Sequence, residues 1–272
     1  MQAAQTKDLE RVRSVLAQDP IAAAYMLGDL DPTYAHHCTW WVASEGGKDV
    51  AVLQVYNGLS APVVLTYGAP AGIAAIATSQ LEDLPWRAHV HLSPDHLAAL
   101  QPTFAFERLR PMMRMGVHAD GLRADVRPPG PEYQAVARLG HRDTGDIVAL
   151  SQFYPDSFFE PHQLSSGHYY GIRTAQGQLV SVAGVHIVSH TDRLAAIGNV
   201  VTHPEHRGRG LSTACTAHLA GALAHAGMNL LVLNVQRENE EARRVYEKLG
   251  FREHCTYLEG FLVRALEGQP RS

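Results

Sequence analysis

Apolar positions along the first hundred residues fall into helical and strand spacings by turns. Leu9, Val12, Val15 and Leu16 share one face of a helical repeat, which predicts a short helix over Lys7 to Ala17. Asp19-Pro20 opens a second helical segment reaching Leu30, since proline suits a first helical turn. Thr39 to Ser44 and Val50 to Tyr56 read as strands, and Glu45-Gly-Gly-Lys48 between them as a hairpin turn. Ala61 to Tyr67 is a third strand, Ala71 to Leu81 a helix of small residues and Arg87 to Leu92 another strand. Pro94 to Leu100 is a short helix, and Phe104 to Val117 is extended.

Gly121, Pro128, Pro129, Gly130 and Pro131 then make Asp120 to Pro131 the best linker in the chain, which divides it into residues 1–125 and 126–272. The same order of elements follows. Tyr133 to Leu139 is a strand, Asp143 to Phe153 a helix capped by Thr144 or Asp143, and Pro155 to Ser165 an aromatic, irregular stretch. His168 to Ala175 and Gln178 to Ser189 are strands joined at Gln176-Gly177. Leu194 to Thr202 is the next strand, and Leu211 to Ala226 a long helix ended by Gly227. Leu230 to Val235 is a buried strand, Asn239 caps a helix that runs to Leu249 and stops at Gly250, and Phe251 to Val263 supplies the last strands. The recurrence points to an internal duplication without a residue-level repeat.

Candidate chemistry is concentrated in Thr202-His-Pro-Glu-His-Arg-Gly-Arg-Gly-Leu-Ser-Thr-Ala-Cys215, a strand end, a basic glycine loop and a helix start. Gly208 and Gly210 let backbone N–H groups close on a ligand. The free amides and positive dipole end of the helix from Leu211 point back into the loop, and Arg207 and Arg209 add charge. Together they make an anion site suited to phosphate or pyrophosphate. The matching stretch of the first half, Tyr67-Gly-Ala-Pro-Ala-Gly72, has glycines but no arginine.

Composition narrows the classes. A length of 272 residues fits one large or two modest domains, and 46% hydrophobic with 18% charged residues is ordinary for a globular chain. A formal charge of −4 argues against a general nucleic-acid binder. Cys38, Cys215 and Cys255 are far apart and form no Cys-x-x-Cys pair, which suits a reducing cytosol; Cys215 is expected to be packed. No run has the length of a membrane span, and Met1 to Pro20 lacks the apolar core of a signal peptide. The expectation is a soluble, cytoplasmic protein without membrane or nucleic-acid partners. His36-His37-Cys38 and His203/His206 are the closest metal-like clusters, but the first lacks a partner pair and the second lies beside arginines, so no metal is expected.

The segment Arg207-Gly-Arg-Gly-Leu-Ser212 resembles the Arg/Gln-x-x-Gly-x-Gly/Ala loop of the GNAT superfamily of acyl-CoA-dependent N-acyltransferases, with Ser212 in place of the usual Gly or Ala. Leu231-Val-Leu-Asn-Val-Gln-Arg-Glu-Asn239 and Ala242-Arg-Arg-Val-Tyr-Glu-Lys-Leu-Gly-Phe251 resemble its second signature, and the likeness covers roughly residues 133–263. It implies an α+β (mixed α/β) fold: a mostly antiparallel sheet with splayed parallel strands, flanked by helices, in two tandem domains of which the first is degenerate. Glycine N-acyltransferase-like enzymes and tandem bacterial acetyltransferases are similar in this respect.

The resemblance implies acetyl-CoA, or another short acyl-CoA, as co-substrate and a small-molecule amine or amino acid as acceptor. Arg207, Gly208, Arg209, Gly210, Leu211 and Ser212 cradle the pyrophosphate, Val200, Val201 and Thr202 pair with the pantetheine arm, and Asn239 contacts the coenzyme. Tyr246 is the acid that protonates the leaving thiolate, or else a core aromatic beside Ala242, Val245 and Leu249. Asn239 also suits an N-cap. Ala196 and Asn234 occupy the positions where the family often carries a Glu base. His186, His190, Glu160, a water chain on Asn199 and Asn234, or an amine that arrives deprotonated remain the alternatives. The aromatic stretch Phe153-Tyr154 to Phe158-Phe159 is either a core corner or a border of the acceptor pocket. A glycine-conjugating acyltransferase with a larger donor and a non-catalytic acyl-CoA sensor are the rival readings, and a monomer or a homodimer fits either. A nucleotide-phosphate binder is disfavoured, since no Lys-Ser/Thr follows the glycines.

Overall fold

A computed structural model describes residues 1–123, 129–154, 157 and 159–265. Residues 124–128 of the expected linker, and the expected 125/126 boundary with them, lie outside the described residues. So do Pro155, Asp156 and Phe158 of the aromatic stretch. Two compact units form, Met1–Arg114 with His254–Ser272, and Met115–Glu253.

The first unit begins with β1 (Gln2–Thr6), α1 (Leu9–Leu16), α2 (Ala24–Gly28) and α3 (Pro32–Ala35). α1 starts where the Asp8 side chain accepts the Arg11 amide, and it buries Val12, Val15 and Leu16, as their spacing predicts. The segment expected to run helical to Leu30 is regular only over α2. The β2 (Cys38–Glu45) and β3 (Lys48–Tyr56) hairpin turns at the predicted glycines, and β4 (Val63–Gly68), α4 (Pro70–Ser79), β5 (Arg87–Leu92), α5 (Pro94–Leu100) and β6 (Phe104–His118) follow. Strand order in this unit is β1-β2-β3-β4-β5, then the last strand of the chain, then β6. Trp41, Leu53, Val64, Val90 and Leu92 form its core with Ile73 and Ile76 of α4 and Leu100 of α5.

β1 was not expected. Its sequence Gln-Ala-Ala-Gln-Thr carries no strong apolar alternation, and backbone pairing with β2 holds it, from Gln2 opposite Ser44 to Thr6 opposite Trp40. Pairing sets such an edge strand more than side-chain pattern does.

The second unit comprises β7 (Ala137–Arg138), α6 (Thr144–Ser151), β8 (Tyr170–Arg173), β9 (Leu179–Ser189), β10 (Leu194–Thr202), α7 (Leu211–His225), β11 (Leu230–Gln236) and α8 (Glu240–Lys248). The final strand, β12 (Arg252–Arg264), belongs to the first unit from His254 onward. The order is β11-β10-β9-β8-β7. β10 is antiparallel to β9 and parallel to β11, and α7 packs on β8 and β9. The strand expected over Tyr133 to Leu139 shrinks to β7, with Tyr133 keeping one bridge to Thr174. The fold is α+β, a mixed sheet flanked by helices. Among the described residues no helix is long and apolar enough to cross a membrane.

Gly250 ends α8 at φ +100, and a side chain there would strike the Gly121 carbonyl oxygen. Gly250→Ala is therefore expected to destabilise the protein by about 2 kcal/mol or more, read from the midpoint of urea unfolding; an unchanged midpoint would refute the constraint.

Candidate active site

The second unit builds its site where β10 leaves β11. Their parallel register runs from Leu194 opposite Leu230 to Ile197 opposite Leu233, and Gly198–Thr202 lie beyond it. On the other side, the ladder with β9 shifts register between Ala196 and Ile197, and again between Gly198 and Val201. Asn199, between these positions, has φ +50, a left-handed conformation that asparagine tolerates better than most residues.

A polar cluster holds this bulge. Asn199 Nδ2 donates to Gln163 Oε1 at 3.0 Å and to the Tyr169 hydroxyl at 2.8 Å, and its Oδ1 accepts from Ser157 Oγ at 3.2 Å. Tyr169 is fully buried and donates to Gln163 Oε1 and to the Val185 carbonyl. Gln163 Oε1 also accepts the Glu160 amide at 3.1 Å, so the turn carrying Glu160 is tied to the same bulge. Both Asn199 amide protons are thus occupied by the fold, which leaves little of that side chain to order a water chain.

The glycine loop follows. Gly208 and Gly210 have φ +72 and +75, and nothing lies within 4 Å of where a side chain would begin. Backbone conformation, and open space around it, call for glycine here. Gly210 is the N-cap of α7 and makes no side-chain capping bond, so the first-turn amides from Leu211 and Ser212 face the loop. The fifteen-residue helix adds its dipole.

The two arginines turn onto phenols. Arg207 donates to the Tyr154 hydroxyl from Nη2 at 2.8 Å and from Nε at 3.2 Å, and lies 5.2 Å from that ring. The Tyr154 hydroxyl in turn donates to the Thr202 carbonyl at 2.5 Å. Arg209 Nη1 donates to the Tyr133 hydroxyl at 2.8 Å, and His206 Nδ1 lies 3.0 Å from the same oxygen. His203 Nδ1 accepts the Glu205 amide. Tyr133 and Tyr154 therefore fasten the loop; neither was singled out for this in the sequence, where 76 and 53 residues separate them from Arg209 and Arg207.

The remaining candidates separate clearly. Asn239 Oδ1 accepts the Ala242 amide at 3.1 Å, so Asn239 caps α8. Tyr246, on that helix, is 7% exposed and meets Phe251 edge-on at 6.2 Å, and burial pushes its phenol up to about 12. These contacts are those of a core aromatic. Ala196 is fully buried opposite Val232, and Asn234 follows the last parallel pair. His186 stands against the bulge, with its ring where a Gly198 side chain would be. His190 follows Ser189, which pairs with Leu194 at the far end of β10, some four or more strand residues from the bulge, or about 13 Å. Cys215 is fully buried, its thiol pushed up to about 12 by burial, with Ser181 hydrogen-bonded to it.

Residues 135–251 match the family model described as the acetyltransferase (GNAT) family. No protein of curated function matches the chain in sequence. Among solved structures, the chain is similar to a GNAT-family protein from Novosphingobium aromaticivorans at 22% identity and TM-score 0.57, covering 88% of this chain and 96% of that one. It is similar to a GCN5-related N-acetyltransferase from Sphaerobacter thermophilus at 16% identity and TM-score 0.61, covering 97% and 96%. A tandem GNAT protein from the clavulanic acid biosynthesis pathway matches at 16% identity and TM-score 0.60 over 98% of this chain and 100% of that one. At these identities the structures speak for the fold, and the family model covers the loop, β11 and α8 whose geometry is given above. Residues 135–251 are thus similar to the acetyltransferase (GNAT) family, and the fold of the chain is that of the solved GNAT structures, a tandem one among them.

Proposed function

We propose that the second unit transfers an acetyl or other short acyl group from acyl-CoA to a primary amine, carried by a small molecule or an amino acid, by direct attack in a ternary complex. The observation that carries this reading is the open glycine loop before an uncapped helix, at the end of a strand that has parted from its parallel neighbour. Backbone amides from Arg207 to Ser212 take the pyrophosphate. The stretch Val200–Thr202, past the last parallel pair, lies along the pantetheine arm, and Asn239 at the head of α8 borders the coenzyme.

The amine nitrogen attacks the thioester carbon, a C–N bond forms and the C–S bond breaks. The amine proton passes to a base and the departing sulfur takes a proton from Tyr246. With its phenol pushed up to about 12, Tyr246 holds that proton throughout the physiological range. His186 is the base this reading favours, because its imidazole stands at the bulge where the strands part. The finding that Ala196 and Asn234 hold the usual carboxylate positions also supports a second reading, a non-catalytic acyl-CoA sensor.

Titration calorimetry with acetyl-CoA is expected to give saturable binding; no heat and no thermal stabilisation would end the proposal. Binding without transfer to any of a broad panel of amines would favour the sensor.

Tyr246→Phe is expected to lower kcat about a hundredfold while acetyl-CoA affinity changes little. An acid works below its pKa and fails above it, so a phenol near 12 leaves the wild-type kcat without an alkaline limb from this group up to about pH 10. Equal kcat in the variant across that range would remove Tyr246 from the chemistry.

A base works above its pKa, so His186→Gln is expected to abolish the acidic limb of kcat/KM and to lower the plateau about a hundredfold. If Glu160→Gln does so instead, the base lies on the 160–166 turn.

A further inference from the structure

The parted edge of β10 is held by a side chain of its own unit. Thr202 stands opposite Ser181 of β9, but the hydrogen bond of that rung comes from the next residue, His203, whose amide donates to the Val180 carbonyl at 2.8 Å. Thr202 and Ser181 are therefore a non-hydrogen-bonded pair of the antiparallel ladder. Backbone groups alternate sides along a strand, so the N–H and C=O of Thr202 point away from β9. They face the side on which β11 has stopped pairing after Leu233.

In a continuous sheet a residue of the next strand would take both groups. Here Tyr154 takes them. Its hydroxyl donates to the Thr202 carbonyl at 2.5 Å, and the Thr202 amide reaches the same oxygen at a long 3.4 Å. Arg207 adds its two bonds to that oxygen, from Nη2 at 2.8 Å and Nε at 3.2 Å. A phenol has one proton to give and few lone pairs to offer, and these contacts use them up. One side chain thus engages the strand edge and the first arginine of the glycine loop together. Tyr154 is half-buried and Arg207 exposed, so the phenol can turn out without unpacking a core.

We propose that Tyr154 is an autoinhibitory latch, whose hydroxyl competes with the coenzyme for the backbone of Thr202 and for Arg207. The inference rests on the reading of this site as an acyl-CoA site. An amide of the pantetheine arm offers Thr202 the donor and acceptor that the phenol now supplies. Its arrival releases the Arg207 guanidinium, which is well matched to a phosphate. Affinity is then reduced by the fraction of molecules in which the latch is closed. Tyr133 differs, because its partners Arg209 and His206 belong to the loop itself.

Calorimetry with acetyl-CoA on the full chain compares four proteins. Tyr154→Phe keeps the ring and removes the hydroxyl, and Tyr154→Leu removes both. Each is expected to bind acetyl-CoA about tenfold more tightly than the wild type, whereas Tyr133→Phe is expected to give no gain. Unchanged or weaker binding in both Tyr154 variants overturns the latch, since a phenol that only braces the loop would weaken binding when lost. An equal gain in Tyr133→Phe also overturns it. Binding by the wild type with no gain at Tyr154 ends the latch alone; no binding by any of the four ends the acyl-CoA reading and the latch with it.

Discussion

The candidate active site depends on one interruption of hydrogen bonding, the end of the β10–β11 ladder at Ile197 and Leu233. Inside a continuous sheet every strand edge is already engaged, so a ligand that recognises backbone needs a place where pairing stops. Two register shifts against β9 and the left-handed Asn199 provide that place. A non-glycine residue in this conformation costs on the order of 1 kcal/mol or more, and the hydrogen bonds from Asn199 to Gln163 and Tyr169, with the one it accepts from Ser157, offset it. Because Tyr169 is fully buried, the bulge is anchored in the core of its unit rather than in solvent.

In the proposed chemistry the glycine loop holds its anion differently from what its arginines suggest. Arg207 and Arg209 rest on the phenols of Tyr154 and Tyr133, and their cost in mobility fixes the loop's course. What they leave for a ligand is backbone: amides ahead of α7 with no side-chain cap, at two glycines in left-handed conformations. The first unit makes the contrast. Its parallel pair leads to a helix that begins with proline across a glycine crowded by Val50, and a diphosphate has nothing to hold there. A parallel pair that parts is common to both units; the open glycine loop before an uncapped helix belongs to one.

Local signals in the sequence carried far. Arg87–Leu92, Pro94–Leu100 and Leu194–Thr202 have the bounds their patterns predict, and Asn239 caps its helix as its residue type suggests. These features depend on neighbours a few residues away. The rest depends on distant ones. β1 is defined by pairing with β2, and Tyr133 to Leu139 gives only two strand residues although its composition suits more, with the Tyr133 hydroxyl engaged by Arg209. No local pattern could assign β12 from His254 onward to the first unit. In the site, the motif positions were legible because glycine conformation and helix starts are local; the phenols that hold them, and the cluster around Asn199, meet only in the fold.

The absence of a carboxylate at the strand positions follows a physical logic in the proposed chemistry. Ala196 is wholly buried against Val232, and an ionised Glu there would have to be desolvated, which pushes a carboxyl towards its neutral form and away from rest as a proton acceptor. A neutral imidazole pays no such penalty: burial favours the uncharged form, which is the form that accepts a proton. His186 is half-buried against Gly198, and only a residue without a side chain leaves room for that ring at the bulge. The small residues at 196 and 198 and the histidine at 186 thus form one consistent set: where β10 is packed too tightly to keep a charge, the proposed base is an imidazole from β9.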